Sequence, residues 1–273
     1  TPLLQFGDFH WNVNANLTLI DTRVIELAGG ATEMNLDSDW SGYAIVGEKY
    51  PMIKATDWVR NPEGKIIVDP VTGLPKAGDI VAVGTSDPTI RIGLNSVMKW
   101  KGFSLAATFD YRGGHYTRPS SEYNMLFTGA SYISGISGRQ RFVFPNSVIA
   151  ETDASGNVTY RENTDITVND AGKTFWNGIY KQGRANQIIS AASWRLRELS
   201  LGYDVPKKYL KKVGFLQRAS VSLVGRNLFM WTPSTNIWGD PDFTGSGNGN
   251  VGGFSGTNNV GQRSYGFNLL LSF

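Results

Sequence analysis

The feature that most constrains this chain is a period of two in its apolar residues. Phe9, Trp11, Val13, Ala15, Leu17 and Leu19 alternate without a break with His10, Asn12, Asn14, Asn16 and Thr18. Successive side chains of a strand point to opposite faces, so such a run specifies a strand with one apolar and one polar face. The pattern returns at Ile90, Ile92 and Leu94, and at Phe103, Leu105, Ala107, Phe109 and Tyr111. It appears again at Ala219, Val221 and Leu223, and at Tyr265, Phe267, Leu269, Leu271 and Phe273. Between Ile188 and Tyr203 the phase changes: Trp194 and Leu196 share one parity, Leu199 and Leu201 the other. A β-bulge near Arg197 accounts for the slip. A helical period is almost absent. The expectation is an all-β, antiparallel chain of about six long strands, near 9–19, 90–98, 103–111, 188–203, 215–230 and 263–273.

The connections alternate in length. Lys99 to Gly102 reads as a tight turn. Asp204 to Gly214 reads as a one-turn helix, with Asp204 as cap and Pro206 near its start. The other gaps, about 21–88, 113–187 and 231–261, are long, and the last holds a Gly/Ser/Asn run from Gly245 to Gly256. Structureless loops of that length count against a compact soluble domain. Outer-membrane barrels, by contrast, pair short periplasmic turns with long extracellular loops. The strands also exceed the ~5–6 residues usual in globular sheets and reach the ~9–11 that cross a bilayer with tilt. Their polar faces are mostly uncharged Asn, Ser, Thr and Gly, which suits a wet lumen. Aromatics gather at strand ends, as interfacial girdles require.

These arguments predict a transmembrane β-barrel segment with long extracellular loops. Six strands do not close a barrel, which takes about 8 or more, and unpaired edges cannot sit in lipid. The whole chain, 1–273, is then expected to be one arc of a larger barrel. The missing strands would lie before Thr1, and the C-terminus at Phe273 would be periplasmic. The rival reading is a soluble all-β carbohydrate-binding module, since a sandwich carries the same alternation. A third keeps the barrel as a structural part of an envelope complex.

The absence of cysteine excludes disulfide scaffolds and thiolate chemistry. Two histidines, His10 and His115, and a net charge of +3 leave little room for a histidine metal site or a nucleic-acid partner. His115, Asp110 and Ser120 fit no hydrolase spacing. Asp170, Asp240 and Asp242 lack a calcium-loop pattern, so turn chemistry is favoured for them. No enzyme activity, cofactor or metal is expected. Lys207, Lys208, Lys211 and Lys212 read as a solvated basic turn. Substrate contact is expected from loop aromatics. Trp176, Tyr180, Trp231, Trp238 and Phe254 offer flat faces for sugars or peptides, with Asp240 and Asp242 as hydrogen-bonding partners.

Several ordered motifs resemble one family. The run from Trp194 to Pro206 (WRLRELSLGYDVP) and that from Val224 to Trp231 (VGRNLFMW), followed by Asp240-Pro241-Asp242, are similar to the late strands of SusC/RagA-family TonB-dependent transporters. The ending from Arg263 to Phe273 resembles that family's last strand, and Gly64 to Pro75 resembles a large loop after an earlier one. The resemblance implies a barrel of about 22 strands, closed around an N-terminal plug absent here. It implies a SusD-like surface lipoprotein as partner, TonB as energy source through the missing part, and a glycan or peptide substrate.

Overall fold

The structure, a computed structural model, describes residues 2–36, 42–211, 214–242, 254–255 and 261–273. Its largest element is a seven-stranded antiparallel sheet, here called the wall. The strands are β1 (Pro2–Phe6), β2 (Phe9–Leu19), β3 (Ile90–Trp100), β4 (Phe103–Gly113), β5 (Ser193–Asp204), β6 (Arg218–Trp231) and β7 (Ser264–Ser272). They pair in chain order, each with its sequence neighbour. The expected six are all present. The additional strand is β1, which hairpins onto β2 through Gly7 and Asp8. Its sequence, PLLQF, carries no alternation to signal it.

Register follows the apolar pattern, because a one-residue slip would turn every apolar side chain to the other face. One row across the wall reads Phe9, Trp100, Phe103, Tyr203, Val221 and Leu269. The next apolar row reads Trp11, Met98, Leu105, Leu201, Leu223 and Phe267. Between them, on the opposite face, lie His10, Lys99, Ser104, Gly202, Ser222 and Asn268. The β3–β4 turn is two residues, Lys101 (φ 47°) and Gly102 (φ 91°), the doubly left-handed backbone that matches strand twist. A Cβ on Gly102 would stand 2.8 Å from the Asp204 carbonyl oxygen, so only glycine fits there.

The phase change predicted near Arg197 is a bulge. Leu196 faces Phe109 and Glu198 faces Thr108, leaving Arg197 unpaired between them. The one-turn helix spans Lys207–Leu210, but its cap is Pro206 and no side chain serves it. Asp204 instead ends β5 and accepts from Arg218 Nη2 at 3.1 Å. The Gly225-Arg226-Asn227 run lies inside β6, at an irregularity where Asn227 takes a φ of 52°.

The apolar face of the wall is uncovered. Leu17 is 62% exposed, Leu201 50%, Leu223 57%, Phe267 62% and Leu269 59%. A soluble sandwich would bury these against a second sheet. Among the described residues no sheet does so, and no helix is long and apolar enough to cross a membrane.

The core lies in the long connections instead. The largest fully buried side chains, Ile53, Val68, Leu126 and Val168, all belong to them. Residues 20–89 form a four-stranded sheet from Glu33–Asn35, Gly42–Ile45, Met52–Trp58 and Ala77–Thr85. Residues 114–192 add a hairpin, Ser147–Thr152 with Val158–Glu162, whose first strand pairs in parallel with Ile66–Val68 of the preceding connection. Trp58, Val168 and Phe175 close a shared core against Ile66, Leu74, Phe142, Phe144 and Trp176. Arg60, Asp57 and Asn186 lace the same seam with hydrogen bonds of 2.8 to 3.2 Å. The two connections thus fold as one unit rather than as separate loops.

Candidate functional site

The bulge at Arg197 shapes the polar face. Without it, Arg195 and Arg197 would share that face while Glu198 pointed away. With it, Arg195, Arg197 and Glu198 all reach the polar side, whereas Leu196 and Leu199 stay on the apolar rows. The arginines meet Asp110 and Arg112 from the neighbouring strand β4. They also meet Asp240 and Asp242, carried back by the connection after β6.

Three arginines and three aspartates form a closed network. Arg195 is bidentate on Asp240, with Nη1 donating at 2.6 Å and Nη2 to the second oxygen. Its Nε lies 3.3 Å from Asp242. Arg197 donates to both Asp110 oxygens at 2.7 and 2.9 Å, and to Asp242 at 3.1 Å. Arg112 stands 3.6 Å from Asp110 and 3.4 Å from Asp242. Arg195 is 7% exposed and Asp240 17%, so this pair is largely shielded from water, whereas Arg197 and Arg112 are part-exposed. Burial would raise the Asp240 carboxyl, but the Arg195 hydrogen bond, the Asp242 N–H and the nearby arginine charges bring it below its ordinary value. Asp240 is therefore ionised, and its charge is spent on the wall.

Beside the network a cleft of about 500 Å³ opens, lined by Arg195, Arg197, Asn227, Asp240, Asp242 and Arg263 among others. His115, 7% exposed, lies nearby, and its imidazole is held down to about 4, first by burial and against the pull of Asp242. It is neutral at physiological pH. Asp110 accepts from Arg197, and the Ser120 side chain lies outside the described residues.

The expected binding residues fall in three places. Trp176 and Tyr180 lie together, with ring centroids 5.4 Å apart, and both rings pack on Phe175 at the edge of the connection core. The Tyr180 hydroxyl donates to Oε1 of Glu122, whose Oε2 has no hydrogen-bond partner among the described residues. Burial pushes that carboxyl up to about 7, partly offset by the Tyr180 hydrogen bond and the Arg118 charge. Trp231 pairs with Trp194, a residue of the apolar rows, and is 51% exposed. Asp240 and Asp242 join the arginine network, and Trp238 stands part-exposed just before them. Among the described residues no hydrogen bond or ring contact joins Trp176 and Tyr180 to Trp231, Trp238, Asp240 or Asp242. The Phe254 side chain lies outside the described residues, as do Lys212, the Asp170 side chain and nearly all of the Gly245 to Gly256 run. Of that run, Phe254–Ser255 pairs in parallel with Arg118 and Pro119. Sequence reasoning missed Arg195, Arg197 and Glu122. The Arg-x-Arg spacing beside a phase change was the available signal for the first two.

No family model and no curated protein matches the chain. Solved structures do. The RagAB peptide transporter aligns with a TM-score of 0.66 at 16% identity, over 100% of this chain and 28% of that one. The RagAB peptide importer in its closed-closed state gives 0.66 at 17%, over 100% and 28%. Its open-open state gives 0.63 at 18%, over 100% and 27%. The likeness shows the fold: an antiparallel β segment similar to part of a transporter. This chain spans about 28% of the length of the structures it matches.

Proposed function

We propose that the chain forms one arc of the wall and vestibule of an outer-membrane active transporter of SusC/RagA type. The observation that carries this reading is the apolar face of the wall, uncovered across β2 to β7. Exposing that much contiguous apolar surface to water would be costly, since each Å² counts about 25 cal/mol. Lipid removes the cost. The open edges of β1 and β7 then require further strands of the same barrel, because unpaired backbone does not survive in hydrocarbon.

On this reading the polar face lines the lumen, and the folded connections between strands form an external vestibule. The substrate is an oligomer, a glycan or a peptide, and the likeness to a peptide transporter favours the peptide. Import draws energy from TonB acting through a plug elsewhere in the protein. A SusD-like lipoprotein is the surface partner, and the C-terminal strand runs towards the periplasm. Substrate contact is assigned to Trp238 and to the cleft lined by Asp240 and Asp242. Asp240 and Asp242 act there by fixing the segment to Arg195 and Arg197.

The test is oligopeptide uptake by cells carrying the complete protein with Trp238→Ala. Uptake should fall several-fold at unchanged surface level of the barrel. Normal uptake would remove Trp238 from the site. Loss of a heat-modifiable, detergent-extracted band even in the unaltered protein would overturn the barrel itself.

A further inference from the structure

The turn-bearing edge of the wall combines positive charge with aromatic rings in a way the transport reading does not use. The β3–β4 turn supplies Lys101, the β5–β6 turn supplies Lys207, Lys208 and Lys211, and β6 opens with Arg218. The acidic side chains lining the cleft at that edge are Asp8 and Asp204, and Asp204 is taken by Arg218 at 3.1 Å. Lys101, Lys207, Lys208, Tyr203 and Tyr209 line one open cleft of about 910 Å³ together with Arg218.

Two contacts fix which side of the wall this cleft adjoins. The Lys101 ammonium lies 5.3 Å over the Trp100 ring, and Trp100 belongs to the apolar rows and is 54% exposed. Tyr203, in the same row, packs its ring 4.5 Å from that of Phe103. The cations therefore rim the uncovered apolar face, directly beyond its last aromatic row. Below them, Leu105 and Leu201 continue that face.

We infer that this edge is a binding site for an anionic phospholipid. The phosphodiester headgroup would seat among Lys101, Lys207 and Lys208, and the acyl chains would run along Trp100, Phe103, Leu105 and Leu201. The charge selects an anionic over a zwitterionic headgroup. The adjoining apolar rows select a lipid over a free phosphate or a soluble acidic protein. The inference rests on the reading of the apolar face as lipid-facing.

The experiment is native mass spectrometry of the complete protein, extracted in mild detergent and exchanged with equal amounts of phosphatidylglycerol and phosphatidylethanolamine. The unaltered protein should retain phosphatidylglycerol in excess, and the excess should shrink with added salt. Each cation near an anionic lipid contributes about a fivefold preference, so K101Q/K207Q/K208Q should abolish most of the excess. These lysines are exposed, so the heat-modifiable mobility of the variant should not change. Equal retention of both lipids by the unaltered protein, or an excess unaffected by the triple substitution, would overturn the headgroup site while leaving the barrel standing. Retention of neither lipid would overturn both. Binding of inorganic phosphate with the same affinity as the lipid would also overturn it, since the apolar rows would then contribute nothing.

Discussion

Arg195 and Asp240, 45 residues apart in sequence, form a bidentate ion pair that fastens the connection after β6 to the wall. The pair is shielded, and each partner has a second tie: Arg195 to Asp242, and Asp240 to the Asp242 N–H at 2.9 Å. Removing one partner leaves the other as an uncompensated buried charge, which costs about 3–5 kcal/mol. Arg195→Ala should therefore free the segment around 232–242 to proteolysis while the wall stays assembled. Limited proteolysis on intact cells checks this. A cleavage pattern identical to that of the unaltered protein would remove the anchoring role.

The bulge has its own consequence. Deleting Arg197 removes the extra residue between Leu196 and Glu198, so one end of β5 must turn its apolar residues to the polar face. Assembly into the outer membrane should be lost. Arg197→Ala keeps the bulge and removes only the bonds to Asp110 and Asp242. That variant should assemble. Surface labelling of the two variants separates register from charge.

The unit built from residues 20–89 and 114–192 should be separable from the wall in stability. Phe175 is 4% exposed and meets Phe142, Phe144, Trp176 and Tyr180 ring to ring. Phe175→Ala should cost the unit about 3–5 kcal/mol. A Cβ on Gly183 would lie 2.0 Å from the Trp58 ring, so Gly183→Ala should destabilise through overpacking, by about 1–3 kcal/mol. Both variants should show faster hydrogen exchange in these connections and unchanged exchange in β2 to β6.

Glu122 gives the same unit a pH dependence. Its carboxyl, 6% exposed, is raised to about 7 in the fold, from 4.5 in the unfolded chain. A carboxyl with a raised folded value binds its proton more tightly when folded. Stability therefore falls as pH rises from about 4.5 and levels off above about 7. The whole effect is about 3 kcal/mol. Glu122→Gln, which stays neutral, should flatten the profile and be the more stable form at pH 8. Hydrogen exchange around Ser120–Phe127 as a function of pH measures it.

The wall was legible because its information is local. Alternation within a strand names the strand, its faces and, at Arg197, its bulge. β1 escaped because PLLQF is too short and too evenly apolar to alternate. Asp204 offered a cap by type, yet its neighbour across the turn, Arg218, claimed it. The connection core was invisible for a different reason. Trp58, Val168 and Phe175 meet from distant parts of the chain, on pieces of strand and helix too short to show a period. Asp240-Pro241-Asp242 stood out as a motif, but its role depends on two arginines that only the bulge brings to the same side.

The central claim is that alternate rows of the wall face lipid and water. These 273 residues hold no cysteine, so single nitroxide labels are readily placed within them once any cysteine elsewhere in the complete protein is replaced. In the complete protein in bilayers, labels at Leu201, Leu223 and Leu269 should be accessible to oxygen and shielded from a water-soluble paramagnetic reagent. Labels at Ser200, Ser222 and Asn268 should show the reverse. Equal access of the aqueous reagent to both sets would contradict the account.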